Sequence, residues 1–242
     1  MEWITTLLLP KKGDLSLPGN YCRIMLLEVA YKIVAKIIHQ RLTPISEILD
    51  HETQFGFRPG QGCTDAVFTV KIALKHNQQT WVLFLDLVKA FDRVPRDLLW
   101  LVLERFGVPP KLLRVIKTLH QTIQVKFTMD SISLILDCKI GIKEGDVLGP
   151  ILFSMYIAAI MITWRQTRNH PQCIFRTKND FLLTGRRPNT GEDFELGGSE
   201  FTDDPAVDSS ESLTTDAPVI YTNFDRFGTE THAGIRAFCD KK

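Results

Sequence analysis

Phe84-Leu85-Asp86-Leu87-Val88-Lys89-Ala90-Phe91-Asp92 places an aspartate at the end of an apolar, strand-like run, and far downstream Phe201-Thr202-Asp203-Asp204 places a pair of aspartates in a turn. Asp is a hard oxygen ligand suited to Mg²⁺. Three carboxylates drawn from separate segments can hold two such ions for phosphoryl or nucleotidyl transfer. Taken alone, Asp203-Asp204 also reads as an Asx turn at a hairpin tip. Asp86 upstream is what turns the pair toward metal chemistry.

The surrounding chain can support such a site. Its 242 residues, 44% hydrophobic and 24% charged, are enough for a sizeable core in one domain with two lobes. Net charge is only +1, but residues 1–130 carry 17 Lys and Arg against 12 Asp and Glu. Such a basic half suits phosphate contact, although solvated surface charge reads the same way. From Glu192 to Glu211 the sequence has eight acidic residues and no Lys or Arg, a stretch that repels phosphate unless a metal or proton relieves it. The five cysteines, Cys22, Cys63, Cys138, Cys173 and Cys239, include no CxxC pair, so free thiols in a reducing compartment are expected rather than a zinc site. Glu2 stands where a secretory leader carries positive charge, which predicts an intracellular protein. The most apolar stretch, Ile151 to Thr163, falls short of the about 20 residues that span a bilayer, so a buried helix is predicted there and no membrane partner.

Apolar residues at helical spacing (Val29, Ile33, Ile37, with Val34, Ile38 and Leu42 beside them) predict an amphipathic helix within Leu26 to Leu49. Thr64 and Asp65 can cap a second helix running to about His76. A turn at Asn77 to Thr80 then leads into a strand, Trp81 to Asp86. Pro95 to Phe106 and Pro109 to Thr122 read as helices separated at Gly107, followed by a hairpin of Gln124 to Met129 and Ser133 to Ile140 around Asp130. Gly141-Ile142-Lys143-Glu144-Gly145-Asp146 is a glycine-flanked loop opening a helix from Pro150 to about Arg165. Loops and short strands fill Arg168 to Gly198, Glu200 to Val207 makes a hairpin, and Pro218 to Phe227 a helix.

In this order the motifs resemble the reverse transcriptase domain of non-long-terminal-repeat (non-LTR, LINE-type) retrotransposons, particularly the algal and protist branch. The resemblance is carried by Leu8-Leu9-Pro10-Lys11-Lys12-Gly13-Asp14, Asn20-Tyr21, Tyr31-Lys32-Ile33-Val34-Ala35-Lys36 and Gln54-Phe55-Gly56-Phe57-Arg58-Pro59-Gly60. To these it adds the Phe84 to Asp92 segment, Gly145-Asp146-Val147-Leu148-Gly149-Pro150 and the Asp203-Asp204 pair, and so covers nearly the whole chain. It implies an α+β right-hand polymerase with fingers mainly at 1–75 and 95–145 and palm mainly at 76–94 and 146–242. An antiparallel palm sheet would be covered by helices, with no thumb. The implied activity is RNA-directed DNA polymerisation on an RNA template from a DNA primer and dNTP, in the nucleus. Oligomeric state is left open.

By the same resemblance Asp86, Asp203 and Asp204 are catalytic and hold two Mg²⁺ ions, with Mn²⁺ as an alternative. Phe91 would lie against the nucleotide sugar and exclude a 2′-hydroxyl, where the residues alone allow a core Phe. Glu144 and Gly145 would line the nucleotide site, Gly145 because a Cβ could obstruct it. Lys11, Lys12 and Arg58 would approach phosphate, where a solvated surface is the plain alternative. Asp92 and Arg93 read as an ion pair or cap.

Four positions depart from the family pattern. Cys22 intervenes between Asn20-Tyr21 and Arg23, and one residue along a strand reverses its face. Glu144 replaces a Gln, adding a carboxylate near triphosphate and losing an amide donor. Thr202 replaces a small apolar residue. Pro205 removes an N–H where the second hairpin strand begins. These departures predict slowed chemistry, and they leave open a decayed or domesticated retroelement fragment that binds nucleic acid without catalysis.

Overall fold

A computed structural model describes residues 4–11, 13–17, 20–49, 54–76, 81–85, 87–121, 123–129, 132–167, 173–176, 193–196, 199–201, 204–209, 213–229, 231 and 236–239. Along the chain the elements are β1 (Ile4–Pro10), β2 (Tyr21–Leu26), α1 (Val29–Leu49), α2 (Cys63–His76), β3 (Trp81–Phe84), α3 (Ala90–Arg93), α4 (Arg96–Arg105) and α5 (Pro110–Gln121). They continue with β4 (Gln124–Met129), β5 (Ile132–Asp137), α6 (Gly149–Thr167), β6 (Cys173–Arg176), β7 (Asp193–Leu196), β8 (Ser199–Phe201), β9 (Asp204–Ser209), α7 (Leu213–Arg226) and β10 (Arg236–Cys239). This is the mixed α+β composition expected. The chain gathers into two compact units: Met1–Asp50 with Lys89–Ile160 and Phe227–Thr229, and His51–Val88 with Met161–Arg226 and Glu230–Lys242.

The first unit holds a sheet ordered β2-β1-β4-β5. β1 runs antiparallel to β2, with Leu9 opposite Cys22, and parallel to β4, with Ile4 opposite Val125. The β4–β5 hairpin forms as expected, Met129 opposite Ile132, and Asp130 lies outside the described residues. Helix α1 forms, and its predicted aliphatic positions divide: Ile38 and Leu42 pack, whereas Val29, Ile33, Val34 and Ile37 do not. Tyr31, Ala35, Ile38, Leu42 and Ser46 are buried, while Val29, Ile33 and Ile37 are 73%, 58% and 48% exposed. Two stripes of helical period coexist on this segment, and the stripe containing a Tyr, an Ala and a Ser is the one that packs, because burial there is set by fit to neighbours rather than by side-chain hydropathy alone.

Helices α4 and α5 sit within a residue of their expected positions. Pro109 precedes α5 instead of starting it, its carbonyl accepting the Leu113 N–H at 2.9 Å. Gly107, at φ +80°, makes the left-handed stop between the two helices. In α6 every residue from Ile151 to Met161 is buried, the burial all round that its unbroken apolar sequence predicts. No helix among the described residues is long and apolar enough to cross a membrane.

The second unit holds an antiparallel sheet ordered β10-β3-β9-β8 and a separate β6–β7 pair. α2 lies against β8 and α7 against β3. α2 begins at Cys63, and the Asp65 carboxylate reaches back to accept the Gly62 N–H at 2.8 Å, satisfying one of the free donors at that helix end. Pro218 lies inside α7 rather than at its start, so this helix begins five residues earlier than predicted. Pro205 is accommodated at the second position of β9. It stands opposite Glu200 of β8, and pairing with β3 begins only at Ala206, so the missing N–H falls where β9 has a strand on one side.

The α1 correction can be measured. Leu42→Ala, at a fully buried position, should destabilise by about 2–5 kcal/mol, and Ile37→Ala, on the exposed stripe, by no more than about 0.5 kcal/mol. Urea unfolding of the two variants distinguishes the faces, and equal losses would return Ile37 to the packing face.

Candidate functional site

The acidic segments meet as neighbouring strands within the second unit. β3 ends at Phe84, two residues before Asp86, and its partner there is Ala206 of β9, two residues after Asp204. The strand pair thus brings together stretches that are distant in sequence. Asp86 and Asp203 lie outside the described residues, as does the side chain of Asp204, whose backbone opens β9. Among the described residues no cluster of three or more His, Cys, Asp or Glu could hold a metal. Leu85 and Leu87, which flank Asp86, are both buried, and Leu87 bridges to Thr231.

The residues expected to meet a nucleotide fall mostly in the first unit. Phe91 is half-buried and stacks on the buried Phe153 of α6, ring centroids 4.5 Å apart at 23°. Its carbonyl accepts the Ile142 N–H at 2.8 Å, tying it to the glycine-flanked loop. The core reading of Phe91 therefore has a physical basis, and one partly exposed ring can serve both purposes. Gly145 is exposed at φ +95°, and a Cβ there would come within 3.0 Å of the Met25 carbonyl of β2. Glycine at this position is thus required by the chain's own backbone. Glu144 is half-buried, and its carbonyl accepts the Met25 N–H at 3.0 Å. Lys11 is exposed, its N–H bonded to the Asn20 carbonyl at 2.7 Å, and Lys12 lies outside the described residues. In the second unit, Arg58 directs one guanidinium nitrogen to the Gln54 carbonyl at 3.1 Å, within its own turn.

Arg23, displaced by Cys22, forms an ion pair with Asp92 and also reaches the Cys138 sulfur at 3.4 Å. The partner of Asp92 is therefore Arg23 and not the adjacent Arg93, because β2 carries the Arg23 guanidinium to α3 while neighbouring residues of a helix diverge.

Sequence reasoning assigned no role to a set of buried polar side chains around the glycine-flanked loop. The Tyr31 hydroxyl donates to Asp146 at 2.5 Å, and the other carboxylate oxygen of Asp146 accepts the Leu148 N–H at 3.1 Å. The Lys143 ammonium sits 4.0 Å from the centre of the Tyr31 ring and donates to the Leu119 carbonyl of α5 at 2.8 Å. Arg96 donates to the carbonyls of Gly141, His120 and Ile140 at 2.8, 2.9 and 3.1 Å. Burial pushes the Asp146 carboxyl up despite its donors and pushes Lys143 down to about 8. His120, 1% exposed, has one ring nitrogen against the Ile116 carbonyl at 2.9 Å, and burial drives it down to about 4. The available signal was the pair of titratable residues bracketing Glu144-Gly145. Their partner Tyr31 is 115 positions from Asp146, beyond any local pattern.

Comparison with known proteins agrees with this arrangement. The family described as reverse transcriptase (RNA-dependent DNA polymerase) matches residues 9–185. The chain is 32% identical over 164 residues to the transposon TX1 uncharacterized 149 kDa protein of Xenopus laevis, covering 66% of this chain and 12% of that protein. It is 29% identical over 162 residues to the RNA-directed DNA polymerase from mobile element jockey of Drosophila funebris, covering 64% and 18%. The fold is similar to that of telomerase from Candida albicans, solved with a fragment of telomeric RNA. The TM-score is 0.61 at 12% identity, over 98% of this chain and 42% of that one. The chain thus spans well under a quarter of the length of these two curated relatives.

His120 makes the first unit acid-sensitive. An unfolded imidazole takes up a proton near pH 6.5 while the buried ring resists until about 4, so stability falls as pH drops through that window. The loss between pH 7 and pH 4 should be about 3 kcal/mol from this residue. Urea midpoints across that range measure it, and His120→Gln should flatten the dependence by that amount.

Proposed function

The chain belongs to the reverse transcriptase (RNA-dependent DNA polymerase) family, and on that premise we propose that it catalyses RNA-directed DNA synthesis, joining a dNTP to a primer 3′-hydroxyl on an RNA template. Its relatives include proteins of the LINE-type elements TX1, R2 and jockey, and a nuclear setting inside the cell goes with that reading. The observation that carries the proposal is the antiparallel pairing of β3 with β9. That pairing ends at Phe84 opposite Ala206, two residues short of position 86 on one side and of position 204 on the other, and Asp203 immediately precedes Asp204.

Asp86, Asp203 and Asp204 would hold two Mg²⁺ ions, or Mn²⁺. The donor set fits by its chemistry, being all carboxylate oxygen, the ligand type that hard divalent cations take. When bound, the ions would supply charge neutralisation at the triphosphate and acidify the primer hydroxyl. Phe91 would lie against the nucleotide sugar, held in orientation by its stack on Phe153. The exposed Gly145 and half-buried Glu144 would face the nucleotide, with Lys11, Lys12 and Arg58 meeting phosphate. The Glu144 carboxylate would lower nucleotide affinity relative to a glutamine amide. The fingers would comprise mainly 1–75 and 95–145, the palm mainly 76–94 and 146–242.

Primer extension on an RNA template with Mg²⁺ tests this reading. Asp86→Ala and Asp204→Ala should each reduce the rate more than about 100-fold, beyond the about 10- to 100-fold that loss of an outer metal partner costs. Extension unaffected by either would remove the carboxylates from the mechanism. Glu144→Gln should raise the rate.

The sugar contact has its own test. Phe91→Ala should raise ribonucleotide incorporation relative to deoxynucleotide. A lowered unfolding midpoint with unchanged sugar preference would leave Phe91 a packing residue.

A further inference from the structure

Burial along residues 143–146 alternates in a way that separates what can touch a ligand from what cannot. Glu144 is half-buried and Gly145 exposed, while Lys143 and Asp146 on either side are 3% and 5% exposed. The tip of the loop faces outward, and both side chains that bracket it point into the first unit. There they meet one ring. Tyr31 of α1 donates its hydroxyl to Asp146 at 2.5 Å and presents its face to the Lys143 ammonium at 4.0 Å. A cation on the ring face and an anion accepting from the ring hydroxyl polarise the ring in the same direction, so each contact strengthens the other. Lys143 is also tethered to the Leu119 carbonyl at the end of α5, and the Glu144 carbonyl is held by the Met25 N–H of β2.

We propose that Tyr31 and Lys143 are positioning residues of the polymerase reaction, gripping the two sides of the Glu144-Gly145 tip so that it stands at a fixed height for the incoming nucleotide. Both are too deeply buried to touch a ligand, so their effect reaches it only through the backbone of the tip. The inference rests on the nucleotide role proposed for Glu144 and Gly145. A carboxylate at the hydroxyl and an ammonium over the face of one tyrosine are also costlier to bury than apolar residues filling the same space, which they offset only by fixing one arrangement of the loop.

Lys143 gives the grip a pH signature. The charged and titratable groups facing it are Asp146 on its own loop, Tyr31 on α1, His120 at the end of α5 and Arg96 at the start of α4. Its ammonium is lost near pH 8, and the contact with the ring face goes with it.

The experiment compares the full chain with Tyr31→Phe and Lys143→Arg by amide hydrogen exchange and by single-nucleotide extension on an RNA template. In Tyr31→Phe the amides of 144–148 should exchange about 10-fold faster, and kcat should fall about 10- to 100-fold with KM for dNTP nearly unchanged. Lys143→Arg keeps its charge, so the ratio of its rate to that of the unmodified chain should rise as pH passes 8. Ile37→Ala and a core variant matched in stability to Tyr31→Phe serve as controls. Unchanged exchange in Tyr31→Phe, or an equal fall in kcat in the matched core variant, would overturn the proposal. Failure of the unmodified chain to extend any primer would sink the polymerase reading, while the exchange comparison would still decide whether Tyr31 holds the tip.

Discussion

The first unit depends on the three hydrogen bonds of one buried guanidinium. Arg96 opens α4, yet its side chain spends its donors on the carbonyls of Ile140, Gly141 and His120, which belong to the end of α5 and to the loop after β5. An arginine can do this because its donors lie in a rigid plane and its charge is compensated by carbonyl dipoles. A helix C-terminus presents such unpaired carbonyls, and the positive charge there also suits the helix dipole. Gly141 completes the junction. At φ +85° it brings the backbone so close to Asp92 that a Cβ would stand 2.5 Å from that residue's carbonyl oxygen. Once the junction is made, the loop leading to α6 has a fixed origin, and the contacts of Lys143 and Asp146 follow from it.

Legibility in the sequence followed range. Elements defined by local rules came through: α5 between Gly107 and its basic, polar end, the β4–β5 hairpin, and the buried α6. Features set by long-range fit did not. In α1 Val29, Ile33 and Ile37 stay exposed while Tyr31 is buried beside Ile38 and Leu42, because Tyr31 has an acceptor waiting 115 positions away that only the tertiary structure supplies. Pro218 reads as a helix start from local preference. In α7 it sits inside because β3 gives the helix a surface to pack on and the tertiary contact outweighs the lost hydrogen bond.

The acidic motifs were legible because they flank the strands β3 and β9. The register of β3 on β9 turns two remote stretches of sequence into one local neighbourhood. Strand pairing fixes which residues face each other more tightly than a loop could. The residues expected to meet a nucleotide are different in kind. Phe91 and Gly145 each satisfy a need internal to the first unit, a ring stack in one case and a backbone approach to β2 in the other. Residue type alone could not reveal that second duty.

The parallel contact between β1 and β4 has a consequence in time. Ile4 pairs with Val125, so during synthesis the first strand emerges long before its neighbour exists. At ribosomal speeds of about 5–20 residues per second, the β1–β2 hairpin waits roughly 5–20 s with its inner edge unpaired. Leu7, Leu8 and Leu9 remain largely exposed even in the finished fold. A nascent chain in that interval presents an open, leucine-rich strand edge, which is the form of polypeptide that holdase chaperones engage and that neighbouring chains on the same message can join. Slowing translation after residue 26 lengthens that interval.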